Sequence, residues 1–351
     1  MARKTGIVRD DRYLRHGAGF PHPESPARLE ALHAMLDTPG MMGQYVPITP
    51  RYATPDDIAL VHSQAYIDRI ARTAGLACES LDADTITTPD TYDTALLAAG
   101  GALSAVDAVL NGRTDNAFAL VRPPGHHAAA NHAAGFCIFN NTAIAARYAL
   151  ARRGLKRILI ADWDLHHGDG TQSIFYEDPQ VLYFSTHEFL SYPGTGGIDD
   201  TGQGPGKGFT INVPLKAGGD NAMFVKAFRG ILQPVALAFR PDLIVLSAGF
   251  DTHHEDPLGS MRVTPSGFAA MTRILMDTAD VCCGGRLVAI LEGGYHTGAL
   301  TESVKAVLME LRDETHFSED HLERLEYEAD QSKDLTLRRI MDFINPQWGV
   351  F

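Results

Sequence analysis

The sequence predicts an α/β domain built on one mostly parallel β-sheet with helices on both of its faces. Short apolar runs recur along the chain and alternate with longer segments of helical patterning. These runs are continuously apolar, which is typical of strands buried on both faces of a parallel sheet. No linker, repeat or low-complexity stretch divides the 351 residues, so we expect a single domain over 1–351.

Six of the apolar runs are predicted to form strands. In chain order they are NAFALV, RILIAD, QVLYFS, FTINVPL, DLIVLSAG and RLVAILEGG. Helices are predicted between several of them, in TYDTALLAAGGALSAVDAVLNG, NNTAIAARYALARRG and NAMFVKAFRGILQPVALAFR. The charged tail from about 313 to 351 is also helix-prone, and we expect it to pack outside the core or against a partner chain.

Composition excludes several classes of protein. The net charge is −13, from 30 basic and 43 acidic residues, which argues against a nucleic-acid-binding surface and favours cationic ligands. The four cysteines form neither a CxxC pair nor a disulfide framework, so we expect a cytoplasmic location. The N-terminal MARKTGIVRD does not resemble a signal peptide, and the absence of an 18-residue apolar run predicts no membrane span.

Polar residues gather where the predicted strands end. The carboxyl ends of parallel strands meet at one edge of the sheet, which is where open α/β sheets bind their ligands. The candidate residues delivered to that edge are His126, His127, Asp164, His166, Asp251 and Tyr295. Their coincidence on several strand ends predicts a functional site there.

The stretch WDLHHGD after the second predicted strand indicates a metal site. On a strand, Asp164 and His166 would project from the same side as the preceding Asp162. They offer two ligands of the type that zinc prefers, and Asp251, from another strand end, is a natural third. Iron suits such a set nearly as well. Taken alone, Asp251 would more often be a turn or helix-cap residue.

A proton carrier is also predicted beside this metal site. His126 and His127 are candidates because the RPPG turn before them fixes the backbone, and Asp162 and Asp169 are available as their acid partners. Tyr295, in EGGYH, can direct its hydroxyl at a developing oxyanion. Tandem histidines on a loop and a tyrosine bonded to backbone also occur without any catalytic role.

Together these motifs resemble the histone deacetylase superfamily, which includes acetylpolyamine amidohydrolases and acetoin-utilisation proteins. The matching stretches run in order over about residues 20 to 312: HPESPARL, VHSQAYI, VRPPGHHA, GFCIFNN, ADWDLHHGDGTQ, FSTHEF, YPGTG, INVPL, LSAGFDTHHEDPLG and LEGGYH. The DPLG and LEGGY stretches are most similar to the class II branch and its bacterial relatives. The resemblance implies an arginase-like, eight-stranded parallel sheet and a metal-dependent deacetylase.

The resemblance also implies which residues hold metal ions. Zinc would be bound by Asp164, His166 and Asp251. A structural potassium ion would lie near Asp162, Asp164, His166, Ser185 and Thr186.

Catalytic roles follow from the same resemblance. His127, backed by Asp169, would be the general base and then the general acid. His126, backed by Asp162, would act mainly through its charge. Tyr295 would donate a hydrogen bond to the substrate carbonyl.

The resemblance places Phe136 and Tyr192 on the walls of an acyl-lysine tunnel, with Gly135 beside them. Relatives that prefer polyamines carry an insertion at the entrance or an acidic residue in the DP-x-G motif. Here that position is Leu258, and the loop AAANHAAGF is short. We therefore expect an acyl-lysine peptide or protein as substrate. An acylated small amine such as a polyamine is the alternative, which the net charge suits equally.

Two further classes of function fit the sequence less well. A catalytically silent acyl-lysine binder or assembly subunit is disfavoured because every ligand, both histidines and Tyr295 are retained. A binuclear manganese ureohydrolase needs additional bridging acids, whereas the first motif here is Asp-x-Asp-x-His-His. A single-metal amidohydrolase is the best interpretation, with the oligomeric state left open and a homo-oligomer included.

Overall fold

A computed structural model describes residues 3–17, 21–315, 317–331 and 335–351. The strands are β1 (Thr5–Val8), β2 (Val46–Ile48), β3 (Glu79–Ser80), β4 (Ile86–Thr87), β5 (Asn116–Ala119), β6 (Ile158–Asp162), β7 (Val181–Glu188), β8 (Thr210–Leu215), β9 (Leu243–Ala248) and β10 (Leu287–Leu291). Eight of them form one sheet in the order β2-β1-β5-β10-β9-β6-β7-β8, and all its pairings are parallel. Strands β3 and β4 form a separate antiparallel pair.

Helices surround this sheet. They are α1 (Ala27–Leu36), α2 (Pro55–Ile58), α3 (Gln64–Ala71), α4 (Thr91–Leu110), α5 (Asn141–Arg153), α6 (Asp169–Phe175), α7 (Asn221–Ala227), α8 (Gln233–Phe239), α9 (Pro265–Cys283), α10 (Thr297–Leu311), α11 (Glu319–Gln331) and α12 (Thr336–Trp348). The eight-stranded parallel sheet flanked by helices confirms the predicted fold class.

All six predicted strands are present, as β5 to β10. The central strands β6 and β9 are buried along their whole length, as expected for strands covered on both faces. Strands β1 and β2 were not predicted individually. They contain only four and three residues and include a glycine and a proline, so their sequences carry little strand signal.

The predicted helix over NAMFVKAFRGILQPVALAFR is interrupted. A π-helical segment, Phe228–Leu232, separates α7 from α8. Pro234 lies in the first turn of α8 and has no backbone N–H to donate to the preceding turn. A single π turn is a common way of accommodating such a break in the hydrogen-bond ladder.

Two helical segments are long and apolar enough to cross a membrane by length and composition alone, Thr91–Leu110 and Asn221–Phe239. In the folded domain 72% and 56% of their apolar windows are buried. Helix α4 packs against β1, β5 and α5, and α7 packs against α9. Packing within the domain therefore accounts for their apolar character.

The tail folds back on its own domain. Helix α11 packs against α7, and α12 packs against the edge strand β8. The indole Nε1 of Trp348 donates to the carbonyl of Gly208 (3.1 Å), and the Trp348 ring contacts Phe209 and Phe239. The tail was expected to pack outside the core, but its buried Leu322, Leu337, Ile340 and Ile344 join the hydrophobic core of the domain. Of the predicted tail, residues 316 and 332–334 lie outside the described residues.

Candidate active site

Strand register brings the polar strand ends together at one edge. Asp162, the last residue of β6, pairs with Ser185 of β7 on one side and with Ser247 of β9 on the other. Ser247 in turn lies opposite Ile290 near the end of β10. The site is built from the loops that follow these strand ends.

Asp164 and His166 do not lie on the strand, contrary to the expectation that they project from it alongside Asp162. Strand β6 ends at Asp162, because the chain then turns around carboxylate groups. The Asp162 side chain accepts from the Asp164 N–H (3.1 Å), and the Asp164 side chain accepts from the His166 N–H (2.9 Å). Asp251 accepts from the Leu165 N–H (2.8 Å). These turns still bring the three predicted ligands together.

The side chains of Asp164, His166 and Asp251 form a compact group that could hold a metal ion. One potential ligand atom from each lies within 4.8 Å of the others. Both carboxylates are fully buried. A Cβ atom at Gly293 would lie 2.3 Å from Asp251 Oδ2, so only glycine fits against this group. The Gly293 N–H instead donates to Asp164 Oδ2 (2.9 Å).

The electrostatics of this group fit a cation. Burial and the neighbouring Asp164 carboxylate raise the pKa of Asp251 to about 7. Burial opposes protonation of His166, but hydrogen bonds to the two aspartates raise its pKa to about 10. Metal ligands must be ionised carboxylates and a neutral imidazole. A divalent cation would satisfy both acids and displace the proton from His166.

The tandem histidines each contact the acid predicted for them. Nδ1 of His126 lies 3.2 Å from Asp162 Oδ2, and Nδ1 of His127 lies 2.7 Å from Asp169 Oδ1. Nε2 of His126 lies 3.7 Å from Asp164 Oδ1, so this histidine faces the candidate metal ligands. A carboxylate at Nδ1 fixes the tautomer and leaves Nε2 to react.

The two histidines differ in charge. Burial and the neighbouring positive charge of His126 lower the pKa of His127 to about 3. Burial also disfavours protonation of His126, but the Asp164 and Asp162 carboxylates outweigh it and raise its pKa well above the usual value. His127 is therefore the neutral member of the pair and is available to accept a proton.

Tyr295 lies beside the candidate tunnel. Its ring meets the Phe136 ring edge-on at 5.8 Å, and the Arg28 guanidinium stacks 5.1 Å from its centroid. Its backbone N–H donates to Asp256 Oδ2 (2.6 Å). Burial and the Asp251 carboxylate raise the pKa of Tyr295 well above its usual value, so its hydroxyl keeps its proton.

The two predicted wall residues contact different parts of the site, Tyr192 the histidines and Phe136 the Tyr295 ring. The Tyr192 ring meets His127 at 5.0 Å and His166 at 6.1 Å. Gly135 and Phe136 both have positive φ, at +53° and +68°. A Cβ at Gly135 would lie 2.3 Å from the His127 ring, so glycine is required for this close approach.

Leu258 is at the rim of this site. It is 40% exposed, and its backbone N–H donates to Asp256 Oδ1 (3.0 Å). Because Asp256 also binds the backbone of Tyr295, the loop carrying Leu258 is tied to the loop carrying Tyr295. His253 and His254 belong to the same loop. His253 Nδ1 already accepts from the Glu255 N–H (3.1 Å), so its ring supports the loop.

Of the residues predicted to surround potassium, Ser185 and Thr186 lie close to Asp162. Ser185 pairs with Asp162 across the sheet, and the Thr186 hydroxyl lies 3.4 Å from the Asp162 carbonyl. The Ser185 hydroxyl contacts His187 Nδ1 at 3.0 Å. Potassium binding by this set stays a prediction.

Several supporting residues were missed by the sequence analysis. Arg28 donates from Nε to the Gly294 carbonyl (2.7 Å) and thus supports the turn before Tyr295. The buried Glu24 pairs with Arg28 and with Arg122. The stretch HPESPARL, which contains Glu24 and Arg28, was noted only as a motif. The i,i+4 spacing of these two residues was a local signal for their ion pair. Their contacts with Arg122 and Gly294 are far away in the chain and leave no local pattern.

Asp84 and Glu292 were also missed. The Asp84 side chain accepts from the Gly135 N–H (3.2 Å) and so supports the tunnel turn. Glu292 was visible at a strand end, in LEGGYH, but only the tyrosine of that stretch was assigned.

The sequence profile of the Histone deacetylase domain matches residues 22–311 of this chain. The chain is 42% identical to Histone deacetylase 15 of Arabidopsis thaliana, over 88% of this chain and 57% of that protein. It is 45% identical to Polyamine deacetylase HDAC10 of Homo sapiens, over 80% of this chain and 43% of that protein. The chain thus spans about half the length of these two relatives.

A crystal structure of the HDA15 HD domain is similar to the whole fold. The TM-score is 0.89 at 38% identity, and the similarity covers 99% of this chain and 96% of that one. The similarity includes the sheet and the loops that carry the candidate site.

Proposed function

The chain belongs to the histone deacetylase family and is a hydrolase of amide bonds, and from this premise we propose that it removes acetyl or other short acyl groups from acyl-lysine side chains with one zinc ion bound by Asp164, His166 and Asp251. One observation carries the proposal. Two buried acids and a histidine that could hold a metal lie beside a neutral histidine, His127, and a protonated tyrosine, Tyr295.

The donor set fits zinc, because two carboxylate oxygens and one imidazole nitrogen leave a coordination position open. When bound, zinc polarises the substrate carbonyl and lowers the pKa of water toward about 7. Iron(II) suits the same donors and is an alternative in cells. We also propose that a structural potassium ion binds near Asp162, Ser185 and Thr186.

The residues of the chain move the protons. His127 takes a proton at Nε2 as water attacks the carbonyl carbon, while Asp169 holds Nδ1. Tyr295 donates its hydroxyl hydrogen bond to the carbonyl oxygen as negative charge develops there. His127 then returns the proton to the leaving amine nitrogen as the carbon–nitrogen bond breaks. His126 contributes a fixed positive charge beside the site.

The aromatic walls support an extended aliphatic amine as substrate. The Tyr192 ring contacts His127 and the Phe136 ring contacts Tyr295, and a linear alkyl chain would pack well against such rings. At the rim, Leu258 offers no charge to a second amine. This favours the side chain of acyl-lysine.

Hydrolysis of an acylated polyamine is the second candidate function. One of the relatives above is named a polyamine deacetylase, and the net charge of −13 attracts polycations. The two candidate substrates differ in the part that remains outside the tunnel. In acyl-lysine this part is the peptide backbone, and in an acylated polyamine it is a further ammonium group.

A parallel hydrolysis assay on metal-quantified protein tests the proposal. The substrates are an acetyl-lysine peptide, acetylputrescine and acetylspermidine, each with and without a chelator. We expect higher kcat/KM for the peptide and loss of turnover on chelation. Preference for the polyamines would replace acyl-lysine by the second candidate. Metal-bound protein that hydrolyses none of them, nor longer acyl-lysines, would contradict the proposed activity and favour a binding role.

A further inference from the structure

The side chain of Glu292 joins separate regions of the active site. Glu292 directly follows β10 and is fully buried. Its Oε2 accepts from the backbone N–H groups of Gly125 (2.6 Å) and His126 (3.1 Å). Its Oε1 lies 3.2 Å from the hydroxyls of both Thr142 and Ser247. The carboxylate therefore fixes the start of the turn that carries the two histidines.

The residues after Glu292 hold the other parts of the site. The Gly293 N–H donates to Asp164, one of the candidate metal ligands. Tyr295 follows two positions later. A single four-residue segment, 292–295, thus contacts the histidine turn, the candidate metal ligands and the tunnel.

We propose that Glu292 is a positioning residue, which holds His126 and His127 in register with Tyr295 through its hydrogen bonds to the histidine turn. This inference rests on the proposed function, since it concerns the alignment of groups in that reaction. Nothing in the inference requires Glu292 to touch the substrate.

Buried donors explain why a side chain of this length is needed. Leaving a buried N–H without an acceptor is unfavourable, and movement of the turn would relieve that cost. A shift of about 1 Å in a reacting group can reduce turnover by about 10²-fold. Loss of the two hydrogen bonds should therefore lower kcat more than it lowers substrate binding.

We expect the hydrogen bonds of Glu292 to matter more for positioning than its charge. Burial raises the pKa of Glu292 to about 7, against the opposing effect of His126. Within the described part of the chain, no Arg, Lys or His side chain forms an ion pair with it. A neutral side chain of the same length should thus replace it, whereas a shorter carboxylate should not.

Two conservative variants separate length from charge. Glu292→Gln keeps the length and an acceptor oxygen, and its amide group can donate to Thr142 and Ser247. We expect it to retain kcat within about fivefold. Glu292→Asp keeps the charge but is one methylene shorter, and we expect kcat to fall by about 10–100-fold with KM and metal content nearly unchanged. Glu310→Asp, at another fully buried glutamate paired with Arg273, is the matched control and should retain turnover.

A second measurement is independent of turnover. Hydrogen exchange of the Gly125 and His126 amides should be slow in the wild type and Glu292→Gln, and faster in Glu292→Asp. Full turnover by Glu292→Asp, or a greater loss in Glu292→Gln than in Glu292→Asp, would overturn the inference. If the wild type hydrolyses no acyl-amine, the proposed function fails. In that case, amide exchange in Glu292→Asp that equals that of the wild type would also contradict the inference that Glu292 holds the histidine turn.

Discussion

The hydroxyl of Tyr295 is the one hydrogen-bond donor proposed here to act on the substrate carbonyl. Tyr295→Phe should therefore lower kcat by about 10²–10³-fold. Zinc content should not change, because the candidate ligands are Asp164, His166 and Asp251. Steady-state kinetics on metal-quantified protein would measure both. Tyr192→Phe is the matched control, since it removes a hydroxyl from the same pocket, and it should change kcat little. Unchanged turnover in Tyr295→Phe would remove the tyrosine from the mechanism.

Asp169 supports the base through a single short contact. The pKa of His127 is depressed by burial and by His126, and the hydrogen bond that its Nδ1–H donates to Asp169 opposes that depression. Asp169→Asn should therefore weaken the base further and lower kcat by about 10–100-fold. Asp178→Asn, at an acid paired with Arg147, is a control that should leave kcat unchanged. Equal kinetics for the two variants would argue against His127 as the base.

At the scale of elements, Glu24 joins the segment before α1 to the segment after β5. It is buried and ion-paired with Arg28 and Arg122. Burial alone would raise its pKa, but Arg122 outweighs this and lowers the pKa of Glu24 to about 2, from 4.5. Since the folded-state pKa is depressed, the stabilisation is complete above pH 4.5 and is lost as pH falls toward 2. It amounts to about 3 kcal/mol.

Glu24→Gln should thus be destabilised by about 3 kcal/mol at pH 7, because it leaves buried arginines without their counter-ion. The difference in the free energy of unfolding between this variant and the wild type should decrease as pH falls below 4.5. Urea unfolding at several pH values would measure it. Glu30→Gln, at an exposed position on α1, should match the wild type throughout. If this stability difference does not depend on pH, the packing of the Glu24 side chain, and not its charge, explains the loss of stability.

The elements also show how far the sequence predicts this structure. Strands β5 to β10 were predictable because each contains a short, mainly apolar run. Asp164 and Asp251 were predictable as ligands because the strand ends of a parallel sheet converge at one edge. Strands β1 and β2 are too short to carry such a signal. Arg28 and Glu24 form a local i,i+4 pair, but their contacts with Gly294 and Arg122 are far away in the chain. Local patterns therefore identified the reactive groups, but not the groups that hold them in place.

At the scale of the whole molecule, the sheet has two edges, and the tail covers one of them. An uncovered edge strand exposes backbone groups that can pair with another chain. Helix α12 packs against β8 with Leu337, Ile340 and Ile344 buried. The charged tail therefore protects the edge of the sheet, and its contribution should be to stability.

Trp348 tests this role of the tail. Trp348→Ala removes the hydrogen bond to Gly208 and the contacts with Phe209 and Phe239. It should destabilise the fold by about 2 kcal/mol, which is less than the usual cost of removing a fully buried ring. Urea unfolding would show a lower midpoint, and light scattering should show more self-association. Turnover at 25 °C should not change, since Trp348 contacts none of the candidate catalytic residues in the part of the chain that the structure describes. Phe343→Ala, on the same helix but 45% exposed, is the control and should change stability by less than about 0.5 kcal/mol. Loss of turnover in Trp348→Ala with an unchanged midpoint would place the tail in the function of the site instead.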